Sequence, residues 1–280
     1  MTRTPRRNRR TLQVAGVGTA ALLALSACSS SDSDSSSAKS ASSASASASG
    51  SASTKMSGTV TVFAAASLQE SFTALGKEFE KEHPGTKVTF SFGGSDTLAA
   101  QITGGAPADV FAAASPKTMK IVTDKGDTAG TPATFVRNQL EIATLPGNPD
   151  KITSLKDLTK SSLKVVLCDK TVPCGAAAQK ALTASKLKLT PVSYEQDVKS
   201  ALNKVVLKEA DAAVVYKTDV KAAGSKVQGV EFPESANAVN AYPITLLKNA
   251  PNVVAAKAFI ALVRSAEGQK VLTEAGFLKP

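Results

Sequence analysis

Residues 60–72 read "VTVFAAASLQESF", and the stretch changes character halfway along. Its first half is β-branched, apolar and uncharged, the composition of a buried strand. Its second half begins a helical pattern. Leu68, Phe72, Leu75 and Phe79 fall on one face, and His83, Pro84 and Gly85 end the run. Ser67 therefore stands where a buried strand hands over to a helix. Ser67 and Glu70 also spell Ser-x-x-Glu, the spacing of a capping box, so taken alone the serine is expected to cap its own helix.

The same alternation runs through the chain. "KVTFSF" (87–92), "ADVFAAA" (108–114), "LKVVLCD" (163–169) and "ADAAVVY" (210–216) read as strands, and "NQLEIATLPGN" (138–148) as a strand with a turn. Between them lie helical segments: "SDTLAAQI" (95–102), "PKTMKIVTDKG" (116–126) and "GAAAQKALTAS" (175–185). A further one, "DVKSALNKVVLKEA" (197–210), places Val198, Ala201, Leu202, Val205 and Val206 on one face. After "VEFPES" (230–235) come the apolar "AYPITLL" (241–247) and two closing helices, "NVVAAKAFIALVRS" (252–265) and "AEGQKVLTEAGF" (266–277). Strands alternating with helices predict an α/β fold with parallel sheets. The residues from Gly58 onward suffice for two modest lobes, and no internal sequence repeat is visible.

The chain before Gly58 reads as an export device. Five arginines precede an apolar run from about Leu12 to Leu25, too short to span a membrane comfortably, and the run ends in "LSAC" at Cys28. It reads as a signal peptide over 1–27 whose end resembles the lipobox of bacterial lipoproteins, which implies Cys28 as the lipidated first mature residue. Arg9 and Arg10 also faintly resemble a twin-arginine signal. Residues 28–57 are nearly all serine and alanine, a flexible tether. The expected location is the outer face of the cytoplasmic membrane, held by the lipid.

Charge excludes one class of partner. The formal net charge of +10 includes the signal arginines, and without them 28 basic residues face 23 acidic ones. The remaining lysines are scattered, and the chain has no tryptophan. A nucleic-acid surface needs a basic stripe with stacking rings, so no nucleic acid is expected.

With Cys28 assigned to the lipid, Cys168 and Cys174 remain, six residues apart in an exported domain. An even pair in an oxidising compartment predicts a disulfide. Two cysteines and the single distant histidine, His83, do not make a metal site.

Chemistry concentrates where strands hand over to helices. Ser67, Ser95 in "SFGGSDTL", Cys174 in "VPCGAAA" and Val198 in "YEQDVKSAL" all stand at such junctions. Helix N-termini carry unpaired N–H groups and partial positive charge, so they bind oxyanions without lysine or arginine. Gly93 and Gly94 would let the backbone approach closely. Tyr216, at a strand's end, adds a phenol. Each also has a structural reading: Ser95 as an N-cap, Tyr216 as a core residue.

A serine hydrolase is the alternative class. "GGSDT" is not the Gly-x-Ser-x-Gly elbow, and His83 lies at a helix-ending turn, away from either serine in the pattern. Ser161 and Lys164 spell Ser-x-x-Lys, but no accompanying Lys-Thr-Gly or Ser-Asp-Asn occurs. No catalytic residues are expected.

Taken together, "VTVFAAASLQESF", "SFGGSDTLAAQITGGAPADVFAAAS", "VPCGAAAQKAL", "QDVKSAL" and "ADAAVVYKTDV" resemble the periplasmic molybdate-binding proteins of bacterial ABC importers, in order and spacing, over residues 58–280. "FAAASL" and "GAPADVF" carry the resemblance most specifically. It implies a type II periplasmic-binding-protein fold: lobe 1 from 58–137 plus 241–280, lobe 2 from 138–240, crossings near 137–140 and 238–243, and the ligand in the inter-lobe cleft. It implies Ser67, Ser95, Cys174, Val198 and Tyr216 as oxyanion ligands, Cys174 and Val198 through their backbone N–H groups. Where the family usually has a small residue such as alanine this chain has Cys174, a change a backbone donor tolerates. The implied ligand is molybdate or tungstate, with no cofactor and with molybdenum only inside the oxyanion. A membrane permease with its cytoplasmic ATPase is the implied partner, and the protein is expected to be a monomer. Both ligands are dianions at neutral pH and want donors on every oxygen. Phosphate keeps a proton and wants an acceptor, while sulfate shares the charge and must be excluded by size.

Overall fold

The computed structural model describes residues 56–280. The signal peptide, Cys28 and the linker up to residue 55 lie outside the described residues.

The first strand and helix follow from the opening stretch. β1 (Gly58–Ala65) leads through one 3-10 turn (Ala66–Leu68) into α1 (Gln69–Glu82). The chain continues through β2 (Thr86–Gly93), α2 (Ser95–Thr103), β3 (Val110–Ala112), α3 (Pro116–Asp124) and β4 (Ala133–Asn138). It then enters β5 (Leu140–Thr144), β6 (Val165–Cys168), α4 (Pro173–Ala184), β7 (Ser193–Glu195), α5 (Val198–Val206), β8 (Ala212–Tyr216), α6 (Lys217–Ala223) and β9 (Gln228–Val230). β10 (Asn240–Leu246), α7 (Val253–Arg264) and α8 (Ala266–Glu274) close the chain.

Two five-stranded sheets result, ordered β2-β1-β3-β10-β4 and β7-β6-β8-β5-β9. In the first, β1 runs parallel to β2 and β3, and β10 runs antiparallel to β3 and β4. The second repeats the scheme, with β6 parallel to β7 and β8 and β5 antiparallel to β8 and β9. Each sheet thus has four strands pointing one way and a single reversed strand, β10 or β5, next to the edge. The two-lobed α/β architecture expected from the sequence is what the chain adopts.

Each sheet is covered on its faces. Val60, Val62 and Ala64 of β1 join the cluster that α1 and α7 close over with Leu68, Phe72, Phe79 and Phe259. The intervening Phe63 packs into a second cluster with Leu98, Ile102, Met119 and Val122 of α2 and α3. This is the period-2 alternation of a strand buried on both faces. The core of the second lobe is one cluster, mostly aliphatic with Tyr216 and Phe232, and Ala66 of the first lobe packs into it.

The chain passes from the first sheet to the second at Gln139, between β4 and β5, and returns at Val239, before β10. The two passages touch, because Asn138 and Asn240 are paired in the antiparallel β4–β10 ladder. Three strands had no counterpart in the sequence pattern: β4, β7 and β9. β7 and β9 are three-residue edge strands whose partners, Val166–Cys168 and Ile142–Thr144, are distant in sequence.

Candidate functional site

In open α/β sheets the usable crevice lies beyond the carboxyl ends of the parallel strands. Here two such crevices face each other. Ser67 follows β1, Ser95 opens α2 after β2, and Ala114 follows β3. From the other lobe, Cys174 lies in the first turn of α4 after β6, Val198 opens α5 after β7, and Tyr216 ends β8. All six line one small cavity, together with Gly93, Gly94 and Asp197. Its volume is about 20 Å³, little more than the roughly 10–15 Å³ one buried water needs and far below a drug-sized pocket. The structure therefore brings together all five residues singled out in the sequence, and each is at least 95% buried.

The lobes meet around this cavity. A Cβ on Gly94 would come 2.6 Å from the carbonyl oxygen of Gln196 in the opposite lobe, so only glycine allows that approach. Gly175 plays a similar part within the second lobe, where an added Cβ would overlap the carbonyl of Asp169. Beside it, a disulfide joins Cys168 at the end of β6 to Cys174, with the Cα atoms 5.8 Å apart.

The donors are of two kinds. The first N–H groups of a helix have no partner within it. α4 starts with Pro173, which has no N–H, so Cys174 carries the first free amide there. α5 starts at Val198. The second kind are hydroxyls already engaged from behind. Ala114 N–H donates to Ser95 Oγ (3.0 Å). Asn240 Nδ2 donates to the Tyr216 hydroxyl (2.7 Å) and to the carbonyl of Pro173 (3.2 Å). Ser67 Oγ is hydrogen-bonded to the Tyr242 hydroxyl (2.9 Å).

Two expectations about caps fail. Ser67 makes no capping bond to its helix, and Leu68 occupies the N-cap position instead. Both halves of the supposed capping box are used elsewhere: Ser67 by Tyr242 and Glu70 by Lys199 across the cleft (2.8 Å). Ser95 is not a cap either; it is the first residue of α2, behind Gly94.

No lysine or arginine lines the cavity, but one carboxylate does: Asp197, which the sequence pattern did not single out. It is the N-cap of α5, and its oxygens accept from Ser200 N–H (2.9 Å) and Ser200 Oγ (3.2 Å). The acceptor is thus turned into its own helix, leaving the Val198 amide facing the cavity end of α5.

Burial pushes the Tyr216 and Tyr242 phenols well above their ordinary range, so both keep their protons and remain donors. Behind Tyr216, the fully buried Asp219 accepts the Tyr216 N–H (3.1 Å) and lies 3.2 Å from Lys199 Nζ. That second contact is an ion pair rather than an aligned hydrogen bond. Burial pushes the Asp219 carboxyl up to about 6, against the pull of Lys199. For Lys199, burial opposes the charge, but Asp219 and Glu70 outweigh it and hold the ammonium above its usual range.

Among the described residues, one group of carboxylates could meet on a metal, Glu78, Glu82 and Glu267, on the exposed sides of α1 and α8. It has no part in the cavity. No described helix is long and apolar enough to cross a membrane.

Residues 60–278 match the family of bacterial extracellular solute-binding proteins. The molybdate-binding protein ModA of Mycobacterium tuberculosis is 44% identical over 227 residues, covering 81% of this chain and 87% of that protein. Among solved structures, a substrate-binding domain assigned to a molybdenum ABC transporter of Clostridium difficile is 31% identical, with a TM-score of 0.60, covering 80% of this chain and 100% of that one. The periplasmic molybdate-binding protein of Azotobacter vinelandii shares the fold with a TM-score of 0.69 at 21% identity, over 79% of this chain and 99% of that one.

Proposed function

Because the chain belongs to the bacterial extracellular solute-binding proteins, we infer that it is not an enzyme but a carrier that captures molybdate, and tungstate with it, for an ABC importer. Molybdate is its cargo and not a cofactor. In this reading 58–137 with 241–280 form one ligand-gripping lobe and 138–240 the other. The ion is held by the hydroxyls of Ser67, Ser95 and Tyr216 and by the N–H groups of Cys174 and Val198.

The observation that carries the reading is a small cavity between two lobes, lined by hydroxyls and helix-end amides, with its one carboxylate spent on its own helix. A dehydrated dianion needs a donor for each oxygen, and preorganised hydroxyls and helix-end amides supply them without mobile cationic side chains. The small volume favours a single tetrahedral ion over any organic solute.

Beyond capture, the carrier delivers its ion to a membrane permease powered by a cytoplasmic ATPase. A lipid on Cys28 and the serine-rich tether keep it at the outer face of the membrane. Replacing Cys28 by serine should release the protein into the medium.

The deciding experiment is a thermal-shift panel followed by titration calorimetry on protein stripped of ligand by unfolding and refolding. Ligand at about a thousand times its dissociation constant adds roughly 4 kcal/mol to stability. A shift with molybdate and tungstate, and little with sulfate or phosphate, is the expected result. Ser67→Ala and Ser95→Ala should each weaken binding about 10- to 100-fold, the cost of one hydrogen bond to a charged group. No response to either metal oxyanion would refute the reading.

A further inference from the structure

The three cavity hydroxyls share a feature that the ligand set does not contain: each already has a hydrogen-bond partner within the protein. For Ser95 and Tyr216 the direction is fixed. An amide N–H can only donate, so Ala114 occupies a lone pair of Ser95 Oγ. Asn240 Nδ2 reaches both Tyr216 and the carbonyl of Pro173. A carbonyl only accepts, so the group facing it is the NH2, and Tyr216 must accept from it.

The Ser67 contact with Tyr242 could run either way taken alone, and its surroundings point to Tyr242 as the donor. Asn138 Oδ1 accepts the backbone N–H of Gln139 (3.0 Å), which fixes the orientation of that amide. Its Nδ2 therefore faces Thr218 Oγ1 (2.9 Å) and, at a long 3.4 Å, the Tyr242 hydroxyl. With that N–H on its oxygen, the Tyr242 hydroxyl still has its own proton to give, and Ser67 Oγ at 2.9 Å is the acceptor we assign to it. The Tyr216 and Tyr242 rings pack edge to face with centroids 6.0 Å apart. The chain of donors runs Asn138 to Tyr242 to Ser67, with the Ser67 proton left for the cavity.

We propose that Tyr242 and Asn240, two residues apart on β10 and outside the cavity lining, are positioning residues that turn the protons of Ser67 and Tyr216 toward the cavity, so that it meets its ion with donors and selects a fully deprotonated ion over a protonated one. Nothing covalent changes; the selection is made by which hydroxyl face holds the proton. A hydrogen phosphate ion would need at least one acceptor, and one of the two lone pairs on each hydroxyl oxygen is already taken from behind. The inference rests on the molybdate reading above and assigns its selectivity to the strand that joins the lobes.

The test is a double-mutant cycle by titration calorimetry with molybdate and with inorganic phosphate, on ligand-stripped wild type, Ser67→Ala, Tyr242→Phe and the double variant. Tyr242→Phe keeps the buried ring against Tyr216 and Phe277 and removes only the hydroxyl. It should weaken molybdate about tenfold, narrow the preference for molybdate over phosphate, and cost nothing further once Ser67 is alanine. The same cycle on Asn240→Ala and Tyr216→Phe should show the same non-additivity, and it decides the matter if Tyr242→Phe does not fold in urea titrations of the empty protein. Unchanged molybdate affinity, additive losses, or an equal fall for both ions would overturn the proposal. Wild type that binds no molybdate would instead overturn the reading beneath it.

Discussion

Lys199 on α5 places its ammonium 2.8 Å from the carboxylate of Glu70 on α1, and the two helices belong to opposite lobes. The same ammonium lies 3.2 Å from the buried Asp219. One lysine thus ties the cleft shut from the second lobe while answering a carboxylate inside it. Glu70 is half exposed, so solvent weakens the pair to well under the strength of a buried one, roughly 0–1 kcal/mol. Glu70→Gln should therefore speed molybdate dissociation only about two- to fivefold, leave association nearly unchanged, and lose its effect as salt is raised. Stopped-flow fluorescence at low and high salt checks this; a salt-independent change would assign the loss to packing.

Asp219 titrates in an accessible window. Its folded value of about 6 lies above the roughly 3.9 of an unfolded aspartate, so between about pH 4 and 6 the native chain binds the extra proton. Stability from this group is full below about pH 4 and is lost as the pH rises through 6. Urea unfolding of empty wild type and Asp219→Asn at pH 4, 5, 6 and 7 should show wild type losing ground to the variant by on the order of 2 kcal/mol across the series. A pH-independent difference would contradict the assignment.

Gly94 tests closure without touching a ligand group. Its backbone conformation suits alanine, but the new methyl would press on the Gln196 carbonyl across the cleft and on Asp96 Oδ1. Gly94→Ala should leave the empty protein as stable as wild type or slightly more so, weaken molybdate at least tenfold, and keep the radius of gyration of the loaded protein near that of the empty one. Small-angle scattering with and without ligand provides the measurement.

The bond between Cys168 and Cys174 closes a short loop, worth about 2 kcal/mol in the chain-entropy model. Cys168→Ser/Cys174→Ser should lower unfolding stability by about that amount and change molybdate affinity only a few-fold, because the Cys174 amide and the tight packing at Gly175 remain. Mass spectrometry after alkylation of native wild type should find neither thiol free. A much larger loss of affinity would make the bridge part of the grip itself.

The strand-to-helix junctions were legible because each is a local event. The apolar run before Ser67 and the glycines before Ser95 are contiguous in the chain with the residues they mark. The pair formed by Ser67 and Glu70 shows where local reasoning stops. Their spacing suits a capping box, yet Tyr242, 175 residues away, and Lys199, 129 residues from Glu70, claim both side chains. Tyr242, Asn240 and Asn138 carry no mark in the sequence, since their partners meet only when two chain passages lie side by side. β7 and β9 were invisible for the same reason: a three-residue strand is defined by its neighbour more than by its own composition. The matching order of the two sheets also leaves no sequence repeat, because a shared topology requires only the same alternation of buried and exposed positions.

The pairing of Asn138 with Asn240 makes the lobes' connection a two-stranded ribbon and not two separate tethers. Hydrogen bonds across such a ribbon resist sliding, while twist about its length is its soft mode, so the lobes turn on something close to a single axle. Asn138, Asn240 and Tyr242 sit on that axle, and they are the groups that hold Ser67 and Tyr216 from behind. Rotation that parts the lobes must then drag those handles and unlatch the hydroxyls in the same stroke. In the transport role proposed above, unloading would be a matter of torque: turning the lobes apart frees the ion without any contact to it.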